Sequence, residues 1–278
     1  MNIVWNIVLQ VIYFIVSIYF MGFVISLLNR LFYKLLWQKM VVIYATGFIG
    51  TPIHELSHAA MCVLFFHKID EIKLFQIDTE SGVLGYVKHS YNKKNLYQQL
   101  GNYFIGVAPV MLGSVILFFA IKWLLPATSA SIDRLIGGLA SIQGKGQSLQ
   151  IFEYLPSVSF EMIKTIFTNI PAVGLWLVFL VICMCIALHM NLSGADIKGS
   201  LVALPLLILL IAIVNAVLGL AFPTAYAPFC VFMNRAGIYL IGMMILAMIV
   251  SLFCVAVGLL IRGVVMLGRI IIKRKIKI

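Results

Sequence analysis

The stretch TGFIGTPIHELSHAAMCVLFF, residues 46–66, is apolar at both ends and carries His54, Glu55 and His58 in its middle. About 20 apolar residues are enough to cross a bilayer as a helix, and this run has that length. An ionisable side chain at the centre of such a span costs about 2.5–3.5 kcal/mol on insertion scales. Three of them in one span therefore indicate a functional site inside a membrane helix.

The composition is that of a membrane-embedded chain. Hydrophobic residues make up 63% of the 278 residues and charged residues only 10%, whereas a soluble domain carries about 25% charged residues. The apolar runs predict an all-α polytopic membrane protein with about six transmembrane helices and no large soluble domain. The predicted spans are residues 3–28, 40–66, 101–125, 171–190, 201–222 and 236–261.

Two long connections separate some of these spans. The first, 67–100, contains the β-prone runs IKLFQI (72–77) and VLGYVKHSY (83–91), which predict a small β-hairpin between spans two and three. The second, 126–170, is polar, and its segment SFEMIKTIF predicts a short interfacial helix. The predicted divisions are an N-terminal transmembrane helix (1–36), a membrane core (37–222), and a C-terminal transmembrane helix with a basic tail (223–278).

Basic residues accumulate at the C-terminus and decide the predicted orientation. A basic cluster beside a span is typical of the cytoplasmic side and of contact with anionic lipid headgroups, so the net charge of +11 does not indicate nucleic-acid binding. Six spans then predict that both termini and the 67–100 connection lie in the cytoplasm. A compact chain without organelle signals predicts a multi-pass protein of a bacterial plasma membrane. The tail cations are Arg262, Arg269, Lys273, Arg274, Lys275 and Lys277.

Residues 54–58, His-Glu-Leu-Ser-His, match the pattern H-E-x-x-H. In a helix, residues four apart lie on one face a turn apart, so His54 and His58 can bind one zinc ion. Glu55 lies beside them, where it can accept a proton from a zinc-bound water. The alternative interpretation is a set of packed core residues bonded to a neighbouring helix.

A catalytic zinc usually has three protein ligands and one open position, so a third ligand is needed. The segment HMNLSGADIKGS, residues 189–200, offers His189 and Asp196. The spacing leaves both open, and an ordinary polar hairpin between two spans, with Asp196 paired to Lys198, is the alternative. His67 is expected to be an interfacial residue rather than a ligand.

The chain resembles the site-2 protease family of intramembrane zinc metalloproteases. HELSH lies within a span, GNYFIGVAPVMLG (101–113) is similar to that family's second core helix, and NLSGADIKG (191–199) is similar to its Asn- and Asp-containing motif. The resemblance implies Zn²⁺ bound by His54, His58 and Asp196, with Glu55 as the base. It also implies that residues 37–222 form the catalytic core.

The function implied is hydrolysis of a peptide bond in or near a transmembrane segment of a membrane-protein or peptide substrate. An oxyanion needs a further donor, for which the candidates are Asn102, Asn191, Ser193 and His189. An extended peptide can pair with the edge of the 72–91 hairpin, which is otherwise a structural hairpin on the lipid headgroups. The rival functions are a metal or proton transporter and a non-catalytic zinc-binding scaffold.

Overall fold

Eight helices and one two-stranded sheet form the part of the chain described in this computed structural model, which covers residues 2–37, 40–77, 82–143, 151–168, 170 and 172–275. The elements are α1 (Ile3–Leu35), α2 (Met40–Leu64), β1 (Lys68–Lys73), β2 (Tyr86–Ser90), α3 (Leu96–Leu124), α4 (Pro126–Gln143), α5 (Ile151–Thr168), α6 (Val173–Leu188), α7 (Gly194–Ala221) and α8 (Pro223–Lys275). A π-helical turn, Ile12–Val16, interrupts α1.

Four of these helices, α1, α3, α7 and α8, are long and apolar enough to cross a membrane. The structure therefore confirms a mainly helical chain with long apolar helices and a small antiparallel sheet, but it does not confirm a count of six spans. α6 has only 16 residues. α2 is absent from the four because its polar residues lower its hydropathy.

α7 runs along α1 in the opposite direction, away from the end of α6. From the end of α6 onward, successive residues bond to positions of α1 that lie progressively nearer to its start. Asn29 of α1 bonds the carbonyl of Ala187, Tyr19 bonds Ser200, and Gln10 bonds Asn215. The polar segment between the two helices ends at Ser193, which caps the start of α7, and Asp196 lies in the first turn of that helix.

The first and last helices place the two ends of the described chain at opposite ends of the bundle, whereas the prediction placed both termini on the same side of a membrane. α1 and α8 run in the same direction, because Gly237 lies against Tyr13 and Gly258 lies against Phe32. Ile3, at the start of α1, lies against Gly219 at the other end of the bundle. The beginning of α1 and the basic end of α8 are thus at opposite ends.

The hairpin and the basic tail also lie at opposite ends, contrary to the prediction. α2 begins near the end of α1, where Thr46 approaches Tyr33, and it ends where Phe65 packs on Gly101 of α3. α3 starts at that same end, and its Tyr103 hydroxyl donates to the carbonyl of Phe14 in the first half of α1. The connection between α2 and α3 therefore starts at the end of the bundle where α1 begins.

The predicted polar connection 126–170 is largely helical, because α4 and α5 fill most of it. Both helices pack on α8, with Ile136 of α4 against Gly242 and Phe167 of α5 against Phe253. The expected interfacial helix 159–167 is the second half of α5. Tertiary packing on α8 compensates for the weak apolar character of these two segments.

The hairpin folds back along α2 toward the middle of the bundle. β1 and β2 pair antiparallel from Lys68↔Ser90 to Lys73↔Tyr86, and Gln76 N–H extends the pairing by donating to the carbonyl of Leu84 at 2.7 Å. Gly82 has a left-handed φ of 68°, as the predicted turn requires, while residues 78–81 lie outside the described residues. These contacts bring the strand that leads into β2 beside the polar middle of α2.

Candidate metal centre

His54 and His58 present their Nε2 atoms to each other at 3.2 Å across one turn of α2. Each ring is held from its other nitrogen by a backbone carbonyl at 2.7 Å, His54 Nδ1 by the carbonyl of His189 and His58 Nδ1 by that of Ile105. A carbonyl only accepts, so each Nδ1 carries the proton and each Nε2 has a free lone pair. The two lone pairs therefore face a common point.

Both carbonyls are free to accept because each has lost its partner within a helix. Ile105 lies four residues before Pro109 in α3, and proline has no N–H to donate to it. His189 is the residue at which α6 ends, where carbonyls lack helical donors. A buried carbonyl needs a donor, and the two imidazoles supply it.

Asp196 lies in the first turn of α7 and is oriented by a capping box. Its N–H donates to Ser193 Oγ at 3.1 Å, and its Oδ2 accepts from Ser193 N–H at 2.8 Å. The other oxygen, Oδ1, lies 3.5 Å from His58 Nε2. With His54, the three donor atoms all lie within 4.8 Å of one another. The cap thus fixes the carboxylate and leaves one oxygen for the cluster.

These side chains fit a zinc ion. Two nitrogen ligands of a tetrahedral zinc, with bonds of about 2.0–2.1 Å, lie about 3.3 Å apart, and the two Nε2 atoms are 3.2 Å apart. Two histidines and one carboxylate are a donor set of catalytic zinc sites, which keep the fourth position open. The backbone carbonyls and the Ser193 N–H would act as the outer partners that orient such ligands.

Glu55 shares one cavity of about 520 Å³ with the three donors and is itself buried. The strand leading into β2 forms one wall of this cavity, and Gly85 of that strand lies directly over Glu55. A Cβ atom at position 85 would come within 2.9 Å of Glu55 Cγ and 2.8 Å of the Lys73 carbonyl. Glycine is therefore needed where the hairpin crosses the site.

His189, the rival third ligand, uses its ring elsewhere. Its Nε2 lies 3.1 Å from Thr46 Oγ1, and its Nδ1 lies 3.3 Å from Thr51 Oγ1, both on α2. The structure brings Asp196 into the donor cluster and brings only the backbone carbonyl of His189 to His54. Within the described ranges, the ion-pair partner of Asp196 is His58 rather than Lys198.

His67 lies outside this cluster and is buried at the base of the hairpin. Its Nε2 donates to the carbonyl of Gln98 at 2.7 Å, and its Nδ1 lies 3.0 Å from Nδ1 of His89. Its ring stacks on Tyr91. His67 was expected to be a residue of the membrane interface. The structure shows in addition that it joins the end of α2 to β2 and α3.

Of the four candidate oxyanion donors, Asn191, Ser193 and His189 line the cavity. Asn102 instead donates to the carbonyl of Gln99 within its own helix. Sequence reasoning missed Asn29, whose Nδ2 donates to Asn191 Oδ1 at 3.0 Å. Its signal was present, because an amide side chain within the apolar helix α1 is costly unless it bonds to a neighbouring helix.

Comparison with known proteins adds no assignment, since no family model, characterised protein or solved structure matches this chain. The functional interpretation therefore depends on the geometry of the site.

Proposed function

We propose that this chain is an intramembrane zinc metalloprotease of the site-2 protease type, which hydrolyses a peptide bond in or near a transmembrane segment of a membrane-protein substrate. The observation that carries the proposal is one cavity, at a helix break, that holds three converging donors and a buried glutamate. The expected location remains a cell membrane, with a bacterial plasma membrane as the more specific prediction.

The residues divide the chemistry between them. Zinc held by His54, His58 and Asp196 would polarise the scissile carbonyl and lower the pKa of a bound water to about 7. Glu55, on the same helix and in the same cavity, would take the proton of the attacking water and pass it to the leaving amine. Asn191, held by Asn29, would donate to the developing oxyanion.

The hairpin supports an extended substrate. A peptide bond within a helix is shielded, so a transmembrane substrate must unwind before attack. Residues 82–87 line the cavity and lead into or begin β2, and each strand of the described two-stranded sheet has one unpaired edge. An extended peptide that pairs with such an edge is held by backbone hydrogen bonds, so its binding depends little on most of its side chains.

Glu55→Gln is the decisive test of this proposal. The purified protein is reconstituted in vesicles, its zinc content is measured, and cleavage of a fluorophore-labelled transmembrane peptide is followed. Glu55→Gln is expected to retain zinc and to lose cleavage by about 10²–10⁴-fold, the usual contribution of a general base. Glu161→Gln, an exposed residue of α5 paired with Lys164, is the matched control and should change neither quantity. Full cleavage by Glu55→Gln would rule out the mechanism.

A metal transporter is the second candidate, because a polar site at the break of a discontinuous helix is typical of transporters. The break between α6 and α7 is of this kind. Zinc uptake into vesicles that contain a zinc-sensitive dye distinguishes the two functions. Zinc uptake without peptide cleavage, at a rate that Glu55→Gln does not change, favours the transporter. Zinc binding without uptake or cleavage favours the non-catalytic scaffold.

A further inference from the structure

Two arginines of α8 cover one tryptophan at the end of α1. The guanidinium of Arg262 lies 5.6 Å from the centre of the Trp37 ring, and that of Arg269 lies 5.3 Å from it. The arginines are seven residues apart and so share a face of α8. Trp37 follows α1 directly and has a left-handed φ of 57°. The three residues join the ends of α1 and α8.

This arrangement holds two positive charges together. Both guanidiniums contact the same ring, so they are no more than about 11 Å apart, close to one Debye length at 0.1 M salt. Lys34, in the last turn of α1, adds a third cation at this end. An anion that binds near Trp37 can therefore interact with both guanidiniums at once.

The arginines keep their hydrogen-bonding capacity free for such an anion. Within the part of the chain that the structure describes, the four ion pairs involve other cations, namely His58, Lys68, Lys88 and Lys164. A guanidinium that contacts an aromatic ring through its positive charge does not use up its N–H groups as hydrogen-bond donors. Those N–H groups match the oxygens of a phosphate in a bidentate fashion.

The position indicates where the phosphate comes from. Trp37 is partly exposed and follows the apolar helix α1, and the apolar span of α8 ends at Arg269. Tryptophan at the end of a span is typical of the membrane–water boundary, which is where lipid phosphates lie. We propose that Trp37, Arg262 and Arg269 form a binding site for the phosphate of an anionic lipid headgroup, which ties α8 to α1.

Native mass spectrometry of the full chain, exchanged into micelles with defined phosphatidylglycerol or phosphatidylcholine, tests this site. The wild type is expected to retain phosphatidylglycerol in preference to phosphatidylcholine. Each juxtamembrane arginine contributes about fivefold in affinity, so R262Q/R269Q should bind phosphatidylglycerol about 30-fold more weakly. R134Q/R235Q removes two exposed arginines elsewhere and should bind like the wild type. Equal loss in both pairs would overturn the proposal.

Two further measurements refine the test. The first asks whether binding needs the arginines themselves or only positive charge, and the second asks whether the bound phosphate belongs to a lipid or to a free anion. R262K/R269K keeps the two positive charges but loses the forked N–H groups of the guanidiniums, and it should bind phosphatidylglycerol more weakly than the wild type. Binding equal to wild type would reduce the site to charge alone and overturn it. If inorganic phosphate or glycerol 3-phosphate displaced the lipid and bound as tightly as it does, the phosphate would not need to come from a lipid, and this part of the proposal would be overturned. None of these outcomes depends on the metal centre.

Discussion

α3 and α7 lie close together at Gly106, at the level of Asp196. A Cβ atom at position 106 would lie 2.4 Å from the Asp196 carbonyl oxygen and 2.8 Å from Ser200 Cβ. Real Cβ contacts stay above 3.0 Å, so Gly106→Ala must move α7 away from α3 by about 0.6 Å or more. Because His58 is bonded to Ile105 on α3, this movement separates Asp196 from His58.

The size of this movement predicts the loss of metal affinity. Metal–ligand distances tolerate errors of about 0.2 Å, so the displacement is about three times the tolerance. Displaced ligand support typically costs 10–100-fold in metal affinity, and we expect Gly106→Ala to bind zinc about that much more weakly. Overpacking should also lower the free energy of unfolding by about 1–3 kcal/mol. Zinc competition against a chelating dye and thermal unfolding in micelles measure the two effects.

Gly199→Ala is the matched control for this variant. It adds the same methyl group to the facing helix α7, next to Ser200, where no heavy atom lies within 4 Å of the added Cβ. Zinc affinity should be unchanged, and the helix should gain about 0.5–1 kcal/mol in stability because glycine is a poor helix former. Wild-type zinc affinity in Gly106→Ala would refute the reasoning, since it would mean that the contact between α3 and α7 does not set the position of Asp196.

Two other variants test the third ligand and the base of the hairpin. Asp196→Ala should weaken zinc binding more than His189→Ala, because His189→Ala keeps the backbone carbonyl that holds His54. The metal content of the purified variants checks this prediction. The reverse order would make His189 the ligand. Burial, and then the nearby His67 and His58, lowers the pKa of His89 from its ordinary 6.5. Below about pH 6.5 the unfolded chain therefore binds more protons than the folded one, so stability is full above this pH and falls on acidification. The pH dependence of thermal unfolding should be shallower in His89→Gln, and an equally steep dependence would contradict the assignment.

The helix that carries the first two donors was predictable because its pattern is local. The spacing of His54 and His58 depends only on helix geometry, and the structure places both on α2 as expected. The hairpin was equally local, since two β-prone runs flank Gly82. Local patterns fix such elements whatever the rest of the chain does.

The choice between His189 and Asp196 was not predictable, because it depends on how the chain turns between two helices. In one continuous helix the two residues would share a face. The break after α6 instead directs the His189 ring toward the threonines of α2, and the capping box with Ser193 directs Asp196 toward His58. Neither contact can be read from spacing, since each depends on the tertiary position of α7.

Helix interruptions supply the geometry of this site. From the sequence alone, Pro109 is one residue of the apolar segment 101–113, and the end of α6 falls in the polar segment 189–200. Each leaves one carbonyl without a helical donor, and each of these carbonyls takes the Nδ1 proton of one histidine. The choice of tautomer follows, and with it the direction of both lone pairs. The His54–His58 spacing could be predicted from the sequence, but the carbonyls that fix the outer nitrogen of each ring depend on the tertiary structure, and such fixed rings are what the proposed metal site needs.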